Sequence, residues 1–248
     1  FGAARRQIKE RISEDMYVLP QIAPAGDQSP RDLIRRGKSE NNMFNNFTGM
    51  EELGSRVADA VVKKIESARK KAQSGLIYNH SVEDIYLPIR KVTQGEFEWA
   101  QNSYDELMKN YNSEDEIHGS DLVKLVDYRA VLLRKKVQEK ASFYKIELHA
   151  IRLGDAAFIT NPFELYIEYG IRIKARSRAR QTFAIQLSCG SGAYLPTRQA
   201  LVGGSYGTNV SNGLVGVEGG NLLVEHSVVA INRFWGEKGY IESWRFGS

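Results

Sequence analysis

Apolar residues recur at helical spacing through the first part of the chain and change to strand-like runs in the last hundred residues. Residues 3–15 predict a short charged helix ending near Asp15. Tyr17 to Ala23 is a short apolar run of strand character. It leads into Pro24-Ala-Gly-Asp-Gln-Ser-Pro30, where one Gly and two Pro within seven residues predict a structured turn. Residues 31–50 are polar, with paired Asn, and predict a loop. From 50 to 72, Leu53, Val57, Val61, Ile65 and Ala68 follow at steps of four, four, four and three, which is one face of an amphipathic helix.

Residues 76–93 have strand character around Ile85-Tyr-Leu-Pro-Ile-Arg-Lys-Val. Two further helices are predicted over 96–111 and 119–142. The second places Leu122, Leu125, Val126, Leu133 and Val137 on one face, with Ser120 as its N-cap. From Ser142 to Ile151 the pattern alternates, and Gly154-Asp155 separates it from Ala156–Thr160, the signature of a hairpin. Asn161-Pro162-Phe163-Glu164 reads as a helix start, with Asn as cap, Pro at the first position and Glu three after the cap; that helix runs through Ile173. Thr182–Ser188 predicts a buried strand. Seven glycines lie between Gly203 and Gly220, and residues 218–233 predict a closing helix. Helices and strands mix without strict βαβ alternation, so the predicted class is α/β (mixed α+β), a mixed sheet with packed helices.

Composition narrows the function. The chain has 248 residues, 42% hydrophobic and 26% charged, enough for a sizeable core and too apolar for wholesale disorder. A formal charge of +4 is a weak field, and no nucleic-acid-binding pattern accompanies it. The densest basic run, Arg172 to Arg180, suits the solvated end of a helix. Its single cysteine, Cys189, excludes a disulfide framework and a Cys-based zinc finger. The four histidines, His80, His118, His149 and His226, stand far apart with no HxH or HExxH pair.

Three segments carry candidate chemistry. Gly26-Asp-Gln-Ser29-Pro holds a hydroxyl in a constrained turn; Asn161-Pro-Phe-Glu164 holds a carboxylate; Cys189-Gly-Ser-Gly-Ala-Tyr194-Leu-Pro-Thr holds a tyrosine just after a strand, with Tyr206 twelve residues on. Each also has a structural reading. Glu164 fits a capping box, Ser29 a turn cap, and Tyr194 a core aromatic with a satisfied hydroxyl.

In this order and at these separations, Gly-Asp-Gln-Ser-Pro, Asn-Pro-Phe-Glu-Leu, Gly-Ala-Tyr-Leu-Pro-Thr and Gly-Gly-Ser-Tyr resemble the neutral/alkaline non-lysosomal ceramidases, from about Val18 to about Ala230. Members of that family are zinc amidases that split the N-acyl bond of ceramide. The resemblance implies Glu164 and Tyr194 as zinc ligands, Tyr206 as the tyrosine that steadies the oxyanion, and Ser29 as the active-site serine. Cys189 and Ser191 depart from the family's usual Asn and Tyr, which bears on substrate recognition. The family's two zinc histidines precede the Gly-Asp-x-Ser-Pro motif, yet the 25 residues before it here hold no His.

Residues 1–248 are therefore expected to be the C-terminal part of a catalytic domain. The turn and first helix occupy 1–75, a helical segment 76–143, and a strand-rich part with the two zinc ligands 144–248. The implied partners are an N-terminal portion or companion chain, a lipid amide and an anionic membrane surface, with no nucleic acid. The implied compartment is outside the cytoplasm. Two alternatives stand beside this reading: a hydrolase of another amide or ester on the same scaffold, and a non-catalytic half-domain.

Overall fold

The computed structural model describes residues 1–30 and 46–237. The expected loop over 31–50 therefore falls largely outside the described residues. The described residues fall into two compact units, one within Phe1–Gln21 and Gln28–Leu76, the other within Ile22–Asp27 and Ile77–Ser248.

The first unit is a helix pair, α1 (Gly2–Ile12) and α2 (Phe47–Lys70). Asn46 caps α2, its Oδ1 accepting from the Gly49 N–H at 2.7 Å. The seam is built on small residues: Ala3 lies against Gly54, and Ala58 is fully buried. Gln7 Nε2 donates to the Glu51 carbonyl at 3.1 Å, and Arg11 pairs with Asp59 at 2.6 Å. Buried residues on α2 are Gly49, Gly54 and Ala58, while Val57 stays 50% exposed. The expected face from Leu53 to Ala68 is thus only partly covered, because an eleven-residue helix cannot cover a twenty-four-residue one. The apolar run at Tyr17–Ala23 forms no strand, and Tyr17 and Leu19 are exposed.

The second unit is built on a four-stranded sheet in the order β1-β2-β3-β5. Strand β1 (Tyr78–Pro88) runs antiparallel to β2 (Phe143–Leu153), with Tyr78 opposite Leu153 and Pro88 opposite Phe143. Strand β2 continues through the expected Gly154-Asp155 turn into β3 (Ala156–Thr160). After β3 come the two-residue strand β4 (Glu164–Leu165) and helix α5 (Ile167–Arg176). The chain then returns as β5 (Gln181–Ile185), parallel to β3. The short strand β6 (Tyr194–Leu195) pairs with β4 in a second sheet. Helix α6 (Arg198–Gly203) and two 3-10 turns, Tyr206–Thr208 and Val210–Asn212, lead to α7 (Val217–Arg233). Helix α7 packs on the sheet and on α5. Ile85, Leu87, Ile146, Leu148, Ile159, Leu223 and Ile231 fill the core between them. Two members of the basic run join this packing: Arg172 donates to Asn221 at 2.8 Å, and Arg176 grips Glu225 with both guanidinium nitrogens at 2.5 and 2.7 Å. The described residues form an α/β structure with a mixed sheet, as the pattern implied.

Helices α3 (Gln94–Met108) and α4 (Gly119–Lys140) pack against each other as a hairpin, and α4 also packs on the Val210–Asn212 turn. Thr93 and Glu96 make the capping box of α3. Helix α4 departs from expectation. Leu122, Val126, Leu133 and Val137 face solvent, and its buried residues are Leu125, Val131 and Arg134. Arg134 turns inward because its guanidinium donates to the carbonyls of Arg90 and Leu214, at 3.0 and 3.3 Å. Burial, aided by the neighbouring charge of Arg90, pulls it down to about 10, which leaves it charged at neutral pH. Nor does Ser120 cap α4, because the helix already begins at Gly119 with His118 as its N-cap.

His226 sits half-buried on α7 with its Nδ1 unpaired, and burial lowers its pKa from the ordinary histidine value. Below about pH 6.5 the unfolded chain then binds a proton that the folded chain resists, so stability falls as pH falls. Urea unfolding is expected to show that slope between roughly pH 6.5 and 5, and a His226→Gln variant to flatten it.

Candidate functional site

Glu164 and Tyr194 are opposite residues of the parallel β4–β6 pair, followed by Leu165 opposite Leu195. The Glu164 N–H donates to the Ala193 carbonyl at 2.9 Å, and both leucines are fully buried. Two side chains thirty residues apart in sequence are thereby fixed on one rung. Asn161 does not cap a helix here. Its Oδ1 accepts from the Phe163 N–H at 3.1 Å and its Nδ2 donates to the Ile185 carbonyl at 3.1 Å, so the side chain closes a local turn. The expected helix start is corrected by this turn: Glu164 lies on a strand, and α5 begins three residues later.

The start of α5 is held from elsewhere. Asp27 Oδ1 accepts from the Ile167 N–H at 2.9 Å, capping the helix across a long sequence separation. The Gly26 N–H donates to the Leu165 carbonyl at 2.9 Å. Gly26 is required by its surroundings, since a Cβ there would strike the Glu164 carbonyl. Gln186, 4% exposed, accepts through Oε1 from the Ala25 N–H at 3.0 Å and the Leu165 N–H at 2.9 Å. The Gly-Asp of the motif thus holds β4 and α5 in place. Ser29 is exposed and belongs to the other compact unit.

Tyr206 joins the pair. Its ring meets that of Tyr194 edge-on, with centroids 5.7 Å apart and planes at 84°. The Tyr206–Thr208 turn is fastened by the Ser205 N–H donating to Thr208 Oγ1 at 2.8 Å and by Arg90 donating to the Thr208 carbonyl at 2.6 Å. A Cβ on Gly207 would lie 2.7 Å from the Tyr166 hydroxyl and 2.9 Å from the Tyr194 ring, so the turn comes this close only with glycine there. Tyr166, Gln186 and Arg90 were not expected at the site, and Ser205 was noted only within the Gly-Gly-Ser-Tyr motif. The signal for Tyr166 was its place two residues after Glu164; Gln186 and Arg90 act through backbone groups and leave no sequence pattern.

Burial first, and then the charge of Glu164, raise the Tyr194 phenol above its ordinary value, with Tyr206 and Tyr166 adding to this. Among the described residues the Glu164 carboxylate has no hydrogen-bonding or ionic partner. A half-buried carboxylate without a counter-charge beside a phenol that resists ionisation is a pair of hard oxygen donors, which suits a divalent cation. Among the described residues no group of three His, Cys, Asp or Glu includes Glu164. The donors here are two oxygens, one carboxylate and one phenol.

No family model matches the chain, and neither does any curated protein. Solved structures do. The neutral ceramidase from Pseudomonas aeruginosa superposes with a TM-score of 0.53 at 15% identity, covering 94% of this chain and 40% of the ceramidase. A ceramidase complexed with C2 gives 0.56 at 14% identity, covering 97% of this chain and 43% of that one. The chain has the fold of a part of these proteins and spans about two fifths of their length. No described helix is long and apolar enough to cross a membrane.

Two outcomes are expected. Gln186→Leu strands two backbone N–H groups and should cost about 1–3 kcal/mol in urea unfolding. Ultraviolet titration, with Tyr194→Phe as the reference, should show the Tyr194 phenol ionising at lower pH in Glu164→Gln, because a neutral neighbour no longer opposes its charge.

Proposed function

We propose that this chain is part of a ceramidase-like zinc amidohydrolase that cleaves the N-acyl amide of ceramide or a related lipid. The observation that carries the reading is the β4–β6 rung, which sets Glu164 opposite Tyr194, with Tyr206 against the Tyr194 ring. The likeness of the fold to ceramidases supports it. Glu164 and Tyr194 would hold the zinc, and two histidines would come from an N-terminal portion or a companion chain. Bound zinc supplies Lewis acidity toward the scissile carbonyl and lowers the pKa of a bound water. Glu164 offsets the metal's charge, and Tyr194 gives a second hard oxygen. The Tyr206 hydroxyl, 66% exposed as a residue and so accessible to substrate, donates to the oxyanion of the tetrahedral intermediate. Ser29 is assigned to the active site on its Gly-Asp-Gln-Ser-Pro motif alone. By itself the chain is expected to bind zinc poorly at this site, since two oxygen ligands do not complete a catalytic zinc shell.

In the assembly that contains the two histidines, Glu164→Ala and Tyr194→Phe are expected each to lose one equivalent of zinc. Tyr206→Phe should keep zinc and lose about 10²–10³-fold in kcat. Unchanged metal content in both ligand variants would overturn the assignment. A panel of N-acyl lipids and simple esters, assayed on the same assembly, separates ceramide cleavage from hydrolysis of another substrate.

A further inference from the structure

A second group of metal-ligating side chains lies on the sheet, and it shares no residue with the Glu164–Tyr194 pair. Glu147 and His149 are two apart on β2 and so project from the same face. Cys189 reaches them from the loop after β5. One carboxylate oxygen of Glu147, one ring nitrogen of His149 and Sγ of Cys189 all lie within 4.8 Å of one another. Cys189 is a free, exposed thiol.

The surroundings hold these groups in place. His149 Nε2 faces Glu147 Oε1 at 2.7 Å, and His149 Nδ1 faces His80 Nε2 at 3.0 Å. The two imidazoles stack at 5.2 Å between centroids, with planes 16° apart. The His149 N–H donates to Thr160 Oγ1 at 3.1 Å. The cysteine loop is fastened on both sides of the thiol: the Ser188 N–H donates to the Asn161 carbonyl at 2.9 Å, and the Gly192 N–H to the Pro162 carbonyl at 2.8 Å. The Tyr144 hydroxyl donates to the Ser191 carbonyl at 3.0 Å. Leu187, Cys189 and Ala193 all sit at left-handed backbone angles, with φ of 56°, 61° and 54°. Non-glycine residues adopt such angles at a cost, and surrounding contacts must enforce them.

We propose that Glu147, His149 and Cys189 form a binding site for a thiophilic divalent cation of the zinc type, with a fourth position open to water. One thiolate, one imidazole and one carboxylate suit zinc or cobalt and do not suit magnesium or calcium, which take oxygen ligands. The cation takes the His149 nitrogen that faces Glu147, Nε2. On binding, the Cys189 S–H bond breaks, a sulfur–metal bond forms, and the thiol proton leaves to solvent. His149 then carries its proton on Nδ1, and His80 Nε2 accepts the hydrogen bond from it. His80 is therefore a positioning residue that selects the ligating tautomer.

The test is cobalt(II) titration of the metal-free full chain under a thiol-free reductant, read by the thiolate-to-metal charge-transfer absorption. The Glu164–Tyr194 pair contains no sulfur and cannot produce that band, so this site and the proposed catalytic one fail or stand separately. The expected result is a band saturating at one equivalent, displaced by zinc, with one proton released per cation. It should vanish in Cys189→Ser, weaken at least about 10-fold in affinity in His149→Ala, and weaken about 10–100-fold in His80→Ala. Glu164→Gln should leave it unchanged. Circular dichroism of the Cys189→Ser variant confirms that the fold survives, as expected for an exposed isosteric change. No band in the native chain, or a band of undiminished affinity in His149→Ala, would overturn the proposal.

Discussion

The arrangement of the candidate site rests on one buried carboxamide and the turn it holds. Gln186 accepts two backbone N–H groups, from Ala25 and from Leu165, and so ties the end of β5 to both β4 and the Gly26-Asp27 turn. That turn donates the Gly26 N–H to the Leu165 carbonyl and supplies a helix cap through Asp27. A buried N–H without an acceptor is costly, and each of these contacts removes one such cost. The rung carrying Glu164 and Tyr194 exists because β4 is held this way. A two-residue parallel pair has little stability of its own.

The same constraint explains why the motif looks functional and structural at once. Gly26 is excluded from any larger side chain by the Glu164 backbone, and Asp27 is used as a cap. Both are fixed by architecture. At the other end, Gly207 permits the Tyr206 turn to approach Tyr194 and Tyr166. Glycines at close approaches, rather than at flexible loops, set the outline of the site.

Electrostatics gives the site its chemical character. Glu164 lacks a cationic neighbour among the described residues, and its charge helps to keep the Tyr194 phenol neutral. The basic run from Arg172 onward is directed elsewhere, with Arg172 and Arg176 engaged by α7. Arg134, a residue type expected outside, is buried and bonded to carbonyls, while the leucine and valine stripe of α4 faces solvent. Hydrophobic periodicity reports that a helix forms. It does not report which face is covered when a guanidinium finds carbonyl acceptors inside.

Much of the fold was legible in the chain alone. Alternation fixed β2, Gly154-Asp155 fixed its turn into β3, and helical periods placed α2, α3, α4 and α7 within a few residues. These are local signals, set by residues two to four apart. Glu164, Tyr194 and Tyr206 were legible as candidates from motif order. Their mutual geometry was not, since Asn161-Pro162-Phe163-Glu164 satisfies a helix-start pattern and a turn pattern equally well until Ile185 offers a carbonyl to Asn161. The convergence of Glu147, His149, Cys189 and His80 was likewise invisible, because strand register and a left-handed loop bring together residues that look isolated in sequence. Short-range chemistry determined the elements; pairing across β1–β2 and β4–β6, which depends on partners far along the chain, decided which side chains meet.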